Sequence, residues 1–204
     1  MNIDLKQRII AVHPPRPRLP KRYAVGDIYP LLKGWLTPEE YLTGNRKPFI
    51  DELTSCCNMD DGTASHIKVQ NWFPEVKKEE KLEYKWEDLT IVGIYDLMVD
   101  GEIWDLKTSR ELIEAKPWSI FQLKCYLTMF EVEVGRLYQP REETEQVMWR
   151  GKKRTRVKRR YLKELGTYKR NDKWFAGVME DLKKKDKLIS KHYEERNKSR
   201  KKST

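Results

Sequence analysis

Apolar and polar residues alternate most sharply between Thr90 and Thr108, where TIVGIYDLM and IWDLKT flank VDGE. Period-two alternation on both sides of an Asp-Gly pair predicts a β-hairpin with a type I′ turn at Asp100–Gly101. The segment KLEYKW, residues 81–86, alternates in the same way and predicts a preceding strand. The period then changes. Pro117 opens PWSIFQLKCYLTMF, whose apolar residues at 120, 123, 127 and 130 share one face of a helix. A further strand is expected at about 132–138, a basic hairpin or strand pair at roughly 146–163, and a Lys-rich helix from Trp174 to about Arg196 that frays into KSRKKST. Upstream, Thr37-Pro38-Glu39-Glu40 combines an N-cap, a proline at the first helical position and a glutamate placed for a capping box, with Gly44-Asn45 as the stop. Another helix is expected from about Asp60-Asp61-Gly62 through His66 to Trp72, closed by Pro74. HPPRPRLP, residues 13–20, cannot be a helix interior. There is no internal repeat.

Composition narrows the class. A chain of 204 residues, 38% apolar and 36% charged, suits one globular domain with a short appendage. Its apolar runs are far shorter than a membrane span requires, and MNIDLKQRIIAVHPPRPRLP has neither the apolar run nor the cleavage site of a signal peptide, so an intracellular location and no membrane partner are expected. Cys56, Cys57 and Cys125 are too few and too badly spaced for a disulfide framework or a CxxC zinc site. Net charge changes the picture more. From Arg150 to Thr204 there are 22 Lys/Arg against 7 Asp/Glu, a net +15, whereas the first 149 residues carry −5. A weakly acidic body with a basic C-terminal quarter points to a polyanionic partner, the alternative being a solvated tail. Lys152, Lys153, Arg154, Arg156, Lys158, Arg159 and Arg160 are the densest part of that charge. Trp149, Tyr161 and Tyr168 are interleaved aromatics able to stack on unpaired bases.

The hairpin carries the candidate chemistry. Around a two-residue turn, opposed residues have numbers summing to 201, which sets Asp96 against Asp105 and puts Lys107 on the same face. Opposed carboxylates repel, and a hard divalent cation between them relieves this. Lys107 would then orient a water or steady phosphate charge. The bland alternative is a surface hairpin with Lys107 as an ion-pair partner. The presence of Ile94, Met98 and Ile103 on the acid face, with Tyr95, Leu97, Trp104 and Leu106 opposite, argues instead for a sheet covered on both sides.

IVGIYDLMVDGEIWDLKTS resembles the G-x-x-D and D-x-K core of the PD-(D/E)xK nuclease superfamily. GTASHI, FQLKCY and, loosely, YAVGDIYPLLKGWL resemble further motifs of the branch that holds the RecB nuclease domain and the CRISPR-associated adaptation nucleases. The resemblance covers about residues 23–140. It implies an α/β, restriction-endonuclease-like core: a mixed β-sheet flanked by helices, with a basic helical C-terminal extension. The nuclease domain would be residues 1–170, with its core at about 60–140, and 171–204 a basic tail ending in disorder. It further implies that His66, Asp96, Asp105 and the backbone carbonyl of Leu106 hold Mg²⁺ or Mn²⁺, and that Gln122 and Tyr126 position DNA. Glu83 is a candidate for a second metal. Many adaptation nucleases hold an iron–sulfur cluster on four cysteines; three cysteines in the chain rule out that ligation from one copy, and no cluster is expected.

The function so implied is metal-dependent hydrolysis of DNA phosphodiesters, on single strands or DNA ends, since no helicase motor is present. A non-catalytic DNA-binding accessory protein on a degenerate nuclease fold is the alternative, and an RNA-binding protein with a basic tail is a third. Oligomeric state is left open.

Overall fold

The computed structural model describes residues 18–44, 66–107, 114–150 and 152–202. Cys56, Cys57 and the expected helix start at 60–65 lie outside them. In chain order the elements are β1 (Arg22–Ala24), α1 (Val25–Leu32), α2 (Pro38–Thr43), a helical segment α3 at 66–70, β2 (Lys77–Lys78), β3 (Lys81–Trp86), β4 (Leu89–Ile94), β5 (Leu97–Val99), β6 (Glu102–Leu106), α4 (Pro117–Met129), β7 (Val134–Trp149), β8 (Lys152–Lys169) and α5 (Asp172–Lys202). They build two mixed sheets, ordered β1-β4-β3 and β2-β5-β6-β7-β8, flanked by helices. The fold is mixed α/β, as expected. Among the described residues no helix is long and apolar enough to cross a membrane.

Local chemistry explains the ends of the elements. Thr37 Oγ1 accepts the Glu40 N–H at 3.2 Å and the Glu40 carboxylate accepts the Thr37 N–H at 2.9 Å, a complete capping box. Gly44 closes α2 at φ 72°, where glycine is unstrained. The β5–β6 turn has φ 49° at Asp100 and 79° at Gly101, as a type I′ turn requires. Register follows the sum of 201 through Val99↔Glu102, Met98↔Ile103 and Leu97↔Trp104.

Beyond Leu97 the register expectation fails. The ladder stops, and the run expected as one strand is two strands in different sheets, β4 and β5, separated by Tyr95 and Asp96. Asp96 is therefore not paired across the ladder with Asp105. Continued pairing would have sent the Leu106 N–H to the Tyr95 carbonyl. Instead the Asp96 carboxylate takes it, Oδ2 accepting at 2.6 Å. The cause is non-local. Strand β4 stays with β1 and β3, and Tyr95, fully buried, turns its ring edge-on to Phe130 at 4.9 Å, on the opposite side of the hairpin from the Leu97 and Leu106 cluster. The same break leaves Ile94 47% exposed instead of under cover.

The hairpin is nonetheless covered on both faces. Ile103 packs with Leu123, Leu127 and Leu137 in the main core, while Leu97 and Leu106 pack with Val69, Trp72 and Phe73 from the α3 region. Two glycines let α4 approach the sheets. A Cβ on Gly93 would lie 2.9 Å from Met129 and 3.1 Å from the Tyr126 ring; one on Gly135 would lie 2.8 Å from both Leu123 and Leu127.

At the C-terminal end two expectations change scale. The strand at 132–138 and the basic strand pair fuse into one long antiparallel hairpin, β7 with β8, paired from Val134↔Lys169 to Trp149↔Lys152 with register shifts after Leu137 and after Glu143. The final helix begins earlier and runs further than expected, and it is core as well as extension: Phe175, Met179, Leu182 and Ile189 are at most 1% exposed. Buried Asp186 locks it to the N-terminal strand, accepting from the Lys21 N–H at 2.8 Å and the Tyr23 hydroxyl at 2.5 Å.

Candidate active site

Asp105 sits on the β6 face that α4 covers, in register with Leu137 of parallel β7, and is 2% exposed. The chain leaves the strand at Lys107, whose N–H bonds to the Tyr138 carbonyl at 2.8 Å. That bond holds the lysine beside the sheet end, where its Nζ lies 2.7 Å from Asp105 Oδ2. Oδ2 is thus buried with the ammonium as its one close polar neighbour among the described residues. Nζ also donates to Gln122 Oε1 at 3.1 Å, and Gln122 Nε2 donates to the Tyr126 hydroxyl at 2.7 Å. Gln122 and Tyr126, one turn apart on α4, thus stand over the hairpin acids.

On the other side, His66 Nδ1 from α3 lies 3.6 Å from Asp96 Oδ1. Asp96 therefore joins His66 to the β6 backbone through its two oxygens. Burial alone would lower the His66 pKa, but the hydrogen bond and charge of Asp96 outweigh it, and the imidazole is raised above its ordinary value. Burial raises Asp105 above the usual aspartate range, opposed by Lys107 and reinforced by the Asp96 charge. Burial raises the Tyr126 phenol as well. The phenol stays protonated at neutral pH, leaving it a hydrogen-bond donor.

His66, Asp96, Asp105, Leu106, Lys107, Gln122 and Tyr126 are thus brought together. Glu83 is not: its carboxylate is held by Arg22 at 2.5 and 2.9 Å and by Lys81 at 3.1 Å, on the other sheet, which holds it well below the usual glutamate range at about 2. A second-metal role for Glu83 has no support in this geometry. Trp118 was missed in the sequence. Its ring lies 5.4 Å under Lys107 Nζ and it is 45% exposed, at the open edge of the cluster. The signal was available: Trp118, Gln122 and Tyr126 are spaced four apart on α4.

Among the described residues, no three His, Cys, Asp or Glu side chains converge as a ready metal site. The reason is local. Asp96 is turned to His66 and the Leu106 N–H, and the positive charge beside Asp105 is the lysine's. The donor set still suits a divalent cation: two carboxylates in electrostatic contact, an imidazole, and a buried Asp105 oxygen whose one close polar neighbour among the described residues is the Lys107 ammonium.

No family model and no curated protein matches this chain. Solved structures do. The alkaline exonuclease LHK-Exo from Laribacter hongkongensis aligns with a TM-score of 0.55 at 10% identity, over 97% of this chain and 100% of that one. Its complex with dAMP gives 0.57 at 12%, over 89% and 94%. The chain shares the fold of these structures. A phage-related exonuclease from Haemophilus somnus 129PT agrees, with 0.51 at 14% identity over 85% of this chain and 97% of that one. At these identities the exonuclease likeness is one of fold, and the chemistry rests on the residues.

Proposed function

We propose that this chain is a divalent-metal-dependent DNA nuclease of the RecB-like kind, acting on single strands or DNA ends. The observation that carries the reading is the buried Asp105–Lys107 pair, tied through Gln122 to Tyr126 and flanked by Asp96 and His66. Burying a carboxylate–ammonium pair almost out of solvent is costly, and such perturbed groups cluster at sites where chemistry uses them. The exonuclease fold supports the same reading, and dAMP on one fold neighbour favours DNA over RNA.

His66, Asp96, Asp105 and the Leu106 carbonyl would hold Mg²⁺ or Mn²⁺, which when bound supplies Lewis-acid polarisation of the phosphate and an acidified water. Lys107, fixed by Gln122, sets a positive charge where phosphate charge develops, in a site dry enough to strengthen it. Gln122 and Tyr126 orient the strand from α4, and Trp118 offers an exposed ring at the edge for a base. Lys152, Lys153, Arg154, Arg156, Lys158, Arg159 and Arg160 on β8 grip the phosphate backbone.

The accessory-protein reading is favoured by one feature, the Lys107 ammonium standing where a cation would neutralise Asp105. One assay separates the two. Labelled single- and double-stranded DNA and RNA are incubated with Mn²⁺, Mg²⁺ or chelator, beside Asp105→Ala and Lys107→Ala. Metal-dependent cutting of DNA lost in both variants is expected. Binding without cutting under every condition supports the accessory role instead.

A further inference from the structure

We propose that the distal half of the β7–β8 hairpin is a ribbon that enters the major groove of duplex DNA and holds the duplex behind the end presented to the hairpin site. The inference deepens the DNA-nuclease reading above and rests on it.

Beyond Pro140↔Leu162 the two strands leave the sheet core and stay paired to Trp149↔Lys152. Nearly every residue of this arm is exposed, on both faces. At roughly 3.3 Å per residue its ten-residue strand extends about 33 Å, close to one turn of B-form DNA. A two-stranded ribbon is one of the two elements that the major groove, about 12 Å wide, admits.

Its charge is graded along its length. Near the base, acids on β7 oppose bases on β8: Glu142 takes Arg160 at 3.1 Å and Lys68 at 2.7 Å, and Glu143 takes Lys158 at 3.5 Å. Between Gln146 and Leu162 there is no acid, and of the eight Lys and Arg there only Lys158 and Arg160, among the described residues, pair with the acids at the base, so the tip is uncompensated. Among the described residues Lys152, Lys153, Arg154 and Arg156 form no salt bridge. Register puts Lys152, Arg154 and Arg156 on one face of the ribbon and Lys153 on the other. Charge on both faces suits an element flanked by phosphates on either side.

Two other occupants fit less well. A single-strand platform needs adjacent rings, but Trp149 and Tyr161 stand at opposite ends of the arm, each already beside an arginine, Arg150 at 5.8 Å and Arg159 at 5.5 Å. Tyr168 lies in the hairpin base, packed on the core. A second copy would bring two uncompensated basic tips together.

The test reads binding by fluorescence anisotropy with the full chain in chelator, where nothing is cut, so it succeeds or fails independently of the nuclease chemistry. The ligands are a DNA duplex of about three helical turns, an RNA duplex of the same length and the single DNA strand. The DNA duplex is expected to bind at least about tenfold more tightly than the RNA duplex, whose deep, narrow major groove does not admit a ribbon. The triple variant Lys152→Ala, Arg154→Ala, Arg156→Ala is expected to lose about tenfold or more in DNA-duplex affinity, with the slope of log K against log salt falling by about three. Single-strand affinity should fall by a clearly smaller factor, about threefold or less, because a single strand meets the arm's cations only as phosphate contacts and offers no groove for it to enter. Equal affinity for the two duplexes, equal loss on single and double strands, no loss on either, or an arm-dependent dimer in sedimentation would each overturn the proposal.

Discussion

The two halves of the β7–β8 hairpin are made from the same two strands and held by opposite means. In the base, Gly135 and Leu137 face α4, Tyr138 packs on the α3 side, and β6 pairs along one edge. In the arm, among the described residues, no helix packs on either face beyond the Lys68 contact at Glu142, and opposite charges across the strands replace burial as the cross-strand interaction. The same contrast holds for charge. Asp105 and Lys107 are nearly solvent-free, and the lysine opposes the burial that raises the acid, whereas the arm's cations sit in water, where screening weakens them until a polyanion arrives. Buried charge is suited to chemistry and exposed charge to holding; this chain separates the two along one sheet.

Substitution should expose the contrast, most strongly in the base. Leu137→Ala, at a fully buried position, should cost about 2–5 kcal/mol in chemical denaturation, while Val157→Ala in the arm should stay within about 0.5 kcal/mol. Similar losses at the two sites would mean that the arm is packed in solution. Asp186→Ala leaves the buried Tyr23 hydroxyl and the Lys21 N–H without their acceptor and should cost about 2 kcal/mol, read by the same method. A neutral result would deny that the last helix is part of the core.

The smallest effect concerns the acid itself. Because burial raises Asp105, the folded chain binds this proton more tightly than the unfolded chain. Metal-free stability should therefore fall as pH rises above the ordinary aspartate range near about 4, and then level off once Asp105 is ionised in both states. Asp105→Asn should remove that fall, raising neutral-pH stability in chelator by on the order of 1 kcal/mol, or a few degrees in Tm. Lower stability in this variant would make the acid a structural ion-pair partner.

Local chemistry was legible in the sequence. The Asp100–Gly101 turn, the Thr37 capping box, strand β3 and the start of α4 at Pro117 each depend on a few adjacent residues. The break at Tyr95–Asp96 was not, because TIVGIYDLM alternates throughout and only the partners of β4 in the other sheet pull it away. Nor was the burial of α5, whose lysines mask the stripe formed by Phe175, Met179, Leu182 and Ile189. In the site, facing was legible for Asp105 and Lys107, but Asp96 reaches the cluster through its side-chain bond to Leu106 rather than by strand pairing. Trp118 is one turn before Gln122 on α4, but a tryptophan at that spacing is equally a core residue until its exposure and the Lys107 ammonium over its ring are seen.

Asp105 is the centre of the proposed chemistry, and single-turnover cleavage of an end-labelled DNA strand measures its role directly. With saturating protein and Mn²⁺ or Mg²⁺, Asp105→Asn should cut at least about a thousandfold more slowly than the unaltered chain while remaining folded, a loss on the order of 4 kcal/mol in transition-state stabilisation. Cutting by Asp105→Asn at the unaltered rate, with the same metal requirement, would contradict it.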